Sequence, residues 1–151
     1  MDKTKGFTLL ELMIVVAIIA ILSTVATVSM KGRSEKNAKI KVKNMIPMFL
    51  NNAIDRAFDE GKGYILDMSN INNASDPRIE MGTRKVNLPS ILDYEIVEKG
   101  TTVILSSITI NQKGEFNKEF VISVEDKQGL QILTVSGINI NEINLGKIIV
   151  E

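Results

Sequence analysis

The chain has 151 residues with 18 basic and 18 acidic side chains, so its formal net charge of zero offers no global attraction for nucleic acid or anionic lipid. It contains no Cys and no His, which excludes disulfides, thiol chemistry, a Ser-His-Asp triad and most zinc sites. The length suits one modest domain plus an extra element.

Residues 1–6, MDKTKG, form a short charged leader. From Phe7 to Met30 the one charged residue is Glu11. As a helix at 1.5 Å per residue this stretch measures roughly 36 Å, enough to cross a bilayer core. Leu12 to Leu22 is apolar all round, unlike the one-sided stripe of a soluble core helix. A secretory signal ends in a small-residue cleavage site after its apolar run, and Ser23-Thr24-Val25-Ala26 is a weak candidate. Gly6 stands before the run instead, and a cut there leaves the helix on the mature chain as a permanent anchor. A carboxylate inside a membrane helix costs roughly 2.5–3.5 kcal/mol at the centre and less near the end. Cutting before Phe7 creates an α-amino group that, supplied by a neighbouring subunit, neutralises Glu11 and fixes the stagger between packed helices.

The residues GFTLLE, Gly6 to Glu11, followed by LMIVVAIIAIL, resemble the leader of type IV pilins and type II secretion pseudopilins. The resemblance implies that a membrane prepilin peptidase cuts after Gly6 and that the new Phe7 amine is methylated. It gives Glu11, with Thr8, an assembly and register role rather than a catalytic one. It also implies other pilin subunits and an inner-membrane assembly platform as partners, and no cofactor or metal. The implied location is the bacterial inner membrane, single-pass, with the N-terminus cytoplasmic and the head outside, then a periplasmic or extracellular filament. The chain departs from the pattern at Val28, where many members carry Pro, and at Ala20, where many carry Gly. The cations after the span (Lys31, Arg33, Lys36, Lys39, Lys41, Lys43) outnumber those of the leader. By the positive-inside rule that favours a cytoplasmic C-terminal side. The resemblance sets the opposite topology.

Residues 31–60 continue the helix in amphipathic form. Ala38, Val42, Met45, Ile46, Phe49 and Ala53 make a stripe that should pack on a sheet. Lys36, Lys39 and Lys43 gather on a neighbouring face. Pro47 should loosen or kink the helix near Lys43, and Gly61 and Gly63 end it. The lysines could contact DNA, as in uptake pili, but no aromatic residues interleave them, and a solvated or headgroup-facing surface is the simpler reading.

Residues 61–151 form the head. The stretch 64–92 reads as irregular, with a loop at Asn70–Pro77. Its Asn73-Ala74-Ser75 triplet is glycosylation-like, and its Asp76-Pro77 is faintly similar to the acidic loop of calcium-binding pseudopilins. From Asp93 strands are expected at Tyr94–Glu98, Thr102–Asn111, Glu115–Glu125, Leu130–Ser136 and Lys147–Val150. Gln112-Lys113-Gly114 and Asp126–Gly129 read as turns of antiparallel hairpins. Residues 106–140 are similar to the ending of H-type minor pseudopilins and FimT-like minor pilins, through Gly114, Gly137 and strand spacing. Ile138 departs from the Arg usual there.

The expected fold is α+β: a long N-terminal helix packed on a small antiparallel β-sheet, pilin-like. No nucleophile elbow, metal spacing or phosphate loop is present, so the chain is not read as an enzyme. The expected function is a structural minor pseudopilin or minor pilin. The alternative is a filament subunit of a competence or adhesion pilus whose head binds DNA or another ligand.

Overall fold

A computed structural model describes residues 7–140 and 145–151, with the side chains of 25–31, 140, 145 and 146 excepted. The leader 1–6, Gly6 included, and the side chain of Val28 lie outside that description. The chain divides into two compact units, 1–37 and 38–151.

The sole helix among the described residues, α1, spans Leu9–Glu60 and contributes to both units. It starts at a capping box. Thr8 precedes the first turn, and its carbonyl accepts from the Leu12 amide at 3.2 Å. It ends in a Schellman motif. The Gly61 amide donates to the Phe58 carbonyl at 3.3 Å, and the Lys62 amide donates to Ala57 at 3.1 Å. Gly61 has φ of 59°, a left-handed conformation that a Cβ penalises. The helix runs through Pro47 without interruption. The missing Pro47 N–H removes one bond of the ladder, which the packing of the turns on either side tolerates.

In the second unit α1 buries Ala38, Val42, Ile46, Leu50, Ala53, Ile54 and Ala57, with Met45 and Phe49 half-buried. The buried face steps by four residues from Ala38 to Leu50 and then continues through Ala53, Ile54 and Ala57. The stripe drawn from sequence lacked Leu50, Ile54 and Ala57.

Among the described residues eight strands follow: β1 Tyr64–Asp67, β2 Arg78–Met81, β3 Arg84–Asn87, β4 Asp93–Glu98, β5 Ser107–Ile110, β6 Phe120–Glu125, β7 Gln131–Ile140 and β8 Leu145–Val150. They form two four-stranded antiparallel sheets, ordered β3-β2-β1-β5 and β4-β6-β7-β8. This corrects two expectations. There are two sheets rather than one, and residues 64–92 hold three strands rather than irregular chain. Those strands are four residues each, too short for alternation to stand out. Alternation is nonetheless real: Leu66, Ile79, Met81, Ile108 and Ile110 point inward from the first sheet. From the second, Tyr94, Ile96, Phe120, Ile122, Val124, Leu133 and Val135 do so. The helix face and both inner faces share one core.

Two of the longer expected strands are also shorter in fact. Thr102–Asn111 reduces to β5 plus an isolated bridge at Ile104, and Glu115–Glu125 to β6 plus a bridge between Ile110 and Phe116. Asparagine side chains take over between them. The Asn139 Oδ1 accepts from the Phe116 amide at 2.8 Å, and its Nδ2 donates to the Phe116 carbonyl at 2.7 Å. One side chain thereby satisfies both backbone groups of a residue that leaves one sheet for the other. Asn117 does half of this for Thr109, accepting its amide at 2.8 Å.

Candidate functional site

The N-terminal unit holds the chemistry the sequence points to. Thr8 and Glu11 bond reciprocally. The Glu11 Oε2 accepts from the Thr8 amide and from the Thr8 hydroxyl, each at 3.0 Å, while the Glu11 amide donates to Thr8 Oγ1 at 3.2 Å. This is a capping box, the Ser/Thr-x-x-Glu solution to the unpaired amides of a first turn. The Thr8-Leu9-Leu10-Glu11 spacing carries that signal, which the sequence reading spent on assembly alone. A local partner for the carboxylate therefore exists within its own chain.

Phe7 stands just before the cap and is 82% exposed. Behind Glu11 every large apolar side chain from Leu9 to Leu22 is exposed, between 45% at Val15 and 77% at Leu9. Monomeric soluble proteins rarely show so continuous an apolar surface, and such a surface marks contact with another protein or with lipid. The polar groups that follow are turned inward on the helix itself. The Ser23 hydroxyl donates to the Ile19 carbonyl at 2.7 Å, and the Thr24 hydroxyl to Ile21 at 2.7 Å. Hydroxyls returned to the backbone in this way leave the helix surface free of unmet donors. Among the described residues no helix is long and apolar enough to cross a membrane. The apolar part with described side chains, Leu9 to Thr24, measures roughly 24 Å at 1.5 Å per residue, short of a hydrocarbon core of about 30 Å.

The head carries a different set of polar contacts. Asp126, in the β6–β7 turn, is the sole buried charged residue among those described. It accepts from Lys39 Nζ at 2.9 Å and from the amides of Gln128 and Leu130 at 3.0 Å each. The Lys39 ammonium, then the turn amides, hold its carboxyl below the usual range, against the opposing effect of burial. This pair ties α1 to the second sheet. It also removes Lys39 from the lysine face read in the sequence. Lys36 and Lys43 remain exposed.

The loop motifs are structural. The Asn73 Oδ1 accepts from the amides of Ser75 and Asp76, at 3.0 and 3.2 Å, closing a turn. Asp76 pairs with Arg78. Among the described residues no cluster of carboxylates is arranged to hold a metal. Asp93, Glu95 and Glu125 line a pocket of about 90 Å³ with Tyr94 and Ser123, well under the roughly 300 Å³ at which small-molecule sites begin.

Comparison with known proteins agrees with the N-terminal unit. Residues 1–27 match the family model described as the prokaryotic N-terminal methylation motif. The chain is 43% identical over 54 residues to the type II secretion system core protein G of Escherichia coli (strain K12), which covers 36% of this chain and 37% of that protein. The chain thus spans little more than a third of the length of the curated relative it matches. No solved structure matches. The motif that opens the capped, exposed apolar helix thus matches the prokaryotic N-terminal methylation motif, and the likeness to a type II secretion system core protein extends over little more than a third of the chain.

Proposed function

We propose that the chain is a structural subunit of a pilin-like filament, cut between Gly6 and Phe7, methylated at the Phe7 amine and assembled through its N-terminal helix. The observation that carries this is the helix surface from Leu12 to Leu22, apolar on every side and exposed throughout, opened by the methylation motif of residues 1–27. Residues 25–30 extend that surface in sequence and bring the segment 7–30 to membrane length. In the membrane the apolar surface faces lipid, and in the filament it faces other subunits. Extraction from one to the other is nearly neutral in hydrophobic terms, because lipid tails are as apolar as a leucine surface. Packing and pairing then decide where the subunit rests.

Glu11 supplies the pairing. Its capping box serves the isolated helix, and a second acceptor oxygen remains for a cation. The Phe7 amine released by the cut is the cation nearest in sequence. Supplied by a neighbouring copy, it sets the register of one helix on the next. The proposed partners are prepilin peptidase, an inner-membrane assembly platform and other pilin or pseudopilin subunits. The mature chain lies in the inner membrane with its head outside before assembly. The assignment as a minor subunit rests on the similarity of residues 106–140, in which Gly137 is sterically required. A Cβ at Gly137 would overlap the Phe120 ring. A nucleic-acid-binding head draws less support, since Lys39 is engaged by Asp126.

The test is incorporation. Wild-type chain should appear in the sheared or pelleted filament fraction of cells carrying the machinery, and Glu11→Ala should be cleaved and membrane-inserted but missing from that fraction. Normal incorporation of Glu11→Ala would refute the pairing.

A further inference from the structure

The two sheets end in β3, β5, β4 and β8. A bare sheet edge pairs with foreign strands unless shortness, charge or a covering segment prevents it. β3 is four residues long and carries Arg84 and Lys85. β5 is covered by residues 115–117: the Asn117 amide donates to the Thr109 carbonyl at 2.9 Å, and Phe116 bridges Ile110. β4 is covered by residues 103–105: the Glu98 amide donates to the Val103 carbonyl at 2.9 Å, and the Leu105 amide to the Ile96 carbonyl at 3.1 Å. Among the described residues β8 has no such cover. It is six residues long, with no Pro and with Lys147 as its one charge.

The outward groups of β8 follow from its register. Thr134 and Glu151 exchange both backbone bonds, at 3.0 and 2.9 Å, and Ser136 lies opposite Ile149 and Ile138 opposite Lys147. In an antiparallel ladder such doubly bonded pairs recur at every second residue. The amides and carbonyls of Ile148 and Val150 therefore face away from β7, and no strand lies beyond them among the described residues. Their side chains stand opposite Gly137 and the buried Val135, on the core side of the sheet. Ile148 is half-buried and Val150 is 49% exposed. Beside this edge a groove of about 580 Å³ separates β8 from the end of α1, lined by Ile148, Asn51, Phe58, Asp55 and Asp59. Phe58 is 63% exposed. The two aspartates sit one turn apart near a helix C-terminus whose last turn holds no basic residue, a placement that repulsion and the macrodipole both disfavour.

We propose that the β8 edge takes up an extended segment of another protein as a further strand. Alternate apolar side chains of that segment enter the groove, and a lysine or arginine among them faces Asp55 and Asp59. The outward amides and carbonyls select an extended chain, because a strand alone matches their spacing. The groove on one side of the edge sets the alternation, and the carboxylates set the sign of the charge. This surface lies apart from the N-terminal segment, and the inference does not depend on the filament reading.

The probe is a synthetic peptide of about ten residues, with threonine on one face and valine and lysine on the other, added to the detergent-solubilised full chain. Amide hydrogen exchange read by NMR should find Lys147 and Ile149 protected without peptide, and Ile148 and Val150 exchanging freely. The peptide should protect Ile148 and Val150. The same peptide with glutamate in place of lysine should bind about tenfold more weakly, and Asp55→Lys with Asp59→Lys should invert that preference. Val150→Pro removes an outward N–H, which an edge strand tolerates. It should abolish binding while the Ile149 amide stays protected. Ile148 and Val150 already protected in the chain alone would put a second copy at this edge and overturn the proposal. Peptide that leaves them unprotected, equal affinity for the two peptides, or a folded Val150→Pro variant that binds as wild type does would overturn it as well.

Discussion

Thr8 and Glu11 hold one another: the glutamate accepts from the amide and hydroxyl of the threonine at 3.0 Å, and its own amide donates back at 3.2 Å. A carboxylate already satisfied within its chain gives Glu11 two separable roles, helix cap and intersubunit charge. Glutamine at this position can complete the same box but carries no charge. Glu11→Gln should therefore keep the cap and still fail to enter filaments. Thr8→Val, which removes the hydroxyl, should cost about 1 kcal/mol of helix stability and reduce assembly less. Quantifying each variant in the filament fraction decides between the roles. Full incorporation of Glu11→Gln would make capping the whole of the residue's purpose.

Gly137 lies beneath the Phe120 ring, with no room for a Cβ. Phe120 in turn meets Phe116 edge to face, ring centroids 5.1 Å apart at 87°. Gly137→Ala should force Phe120 out of its fully buried position at a cost of about 1–3 kcal/mol. Phe120→Leu in the same chain should recover part of that loss, because the two changes share one space. Urea unfolding of the detergent-solubilised full chain measures both, and independent, additive effects would contradict the steric account.

The Lys39–Asp126 pair predicts an acid-sensitive head. The folded Asp126 carboxyl is held below its ordinary value, so its stabilising effect is complete above the unfolded value of about 3.9. It is lost as pH falls through the folded one. Asp126→Asn should lower the melting temperature at pH 6, and the gap from wild type should shrink below about pH 4. Lys39→Met should do less than Asp126→Ala, since the aspartate also holds the amides of Gln128 and Leu130. A gap independent of pH would place the effect of Asp126 in turn geometry alone.

Tyr94 is buried and its hydroxyl donates to the Pro89 carbonyl at 2.8 Å. Burial, then the nearby Asp93 charge, raises the phenol above its usual value. A raised value stabilises the fold below the unfolded value of about 10 and is lost as pH climbs beyond it. Tyr94→Phe should cost about 1 kcal/mol at neutral pH and flatten the alkaline limb of a pH–melting curve. An unchanged alkaline limb would exclude Tyr94 as its source.

What the sequence displays depends on the length over which a pattern can repeat. The apolar run and the Gly6–Glu11 motif are local and long, and they were legible as soon as they were read. The inner face of α1 was half legible: Ala38, Val42, Ile46 and Ala53 were read on it with the half-buried Met45 and Phe49, while Leu50, Ile54 and Ala57 lie to one side of that narrow stripe and widen the buried face. β1, β2 and β3 were missed because four residues give only two inward positions each. The tie between Lys39 and Asp126 joins residues 87 apart, and no local signal links them. The roles of Asn117 and Asn139 as strand substitutes were likewise hidden, because an abundant residue type says nothing about which copies bond to backbone.

The central claim is that the N-terminal helix becomes a filament core after cleavage at Gly6. Intact mass and N-terminal sequence of the chain purified from its native membrane test it most directly. The account predicts a chain that begins at Phe7 and is heavier by one methyl group. A chain beginning at Met1, or beginning beyond the apolar run, would contradict it.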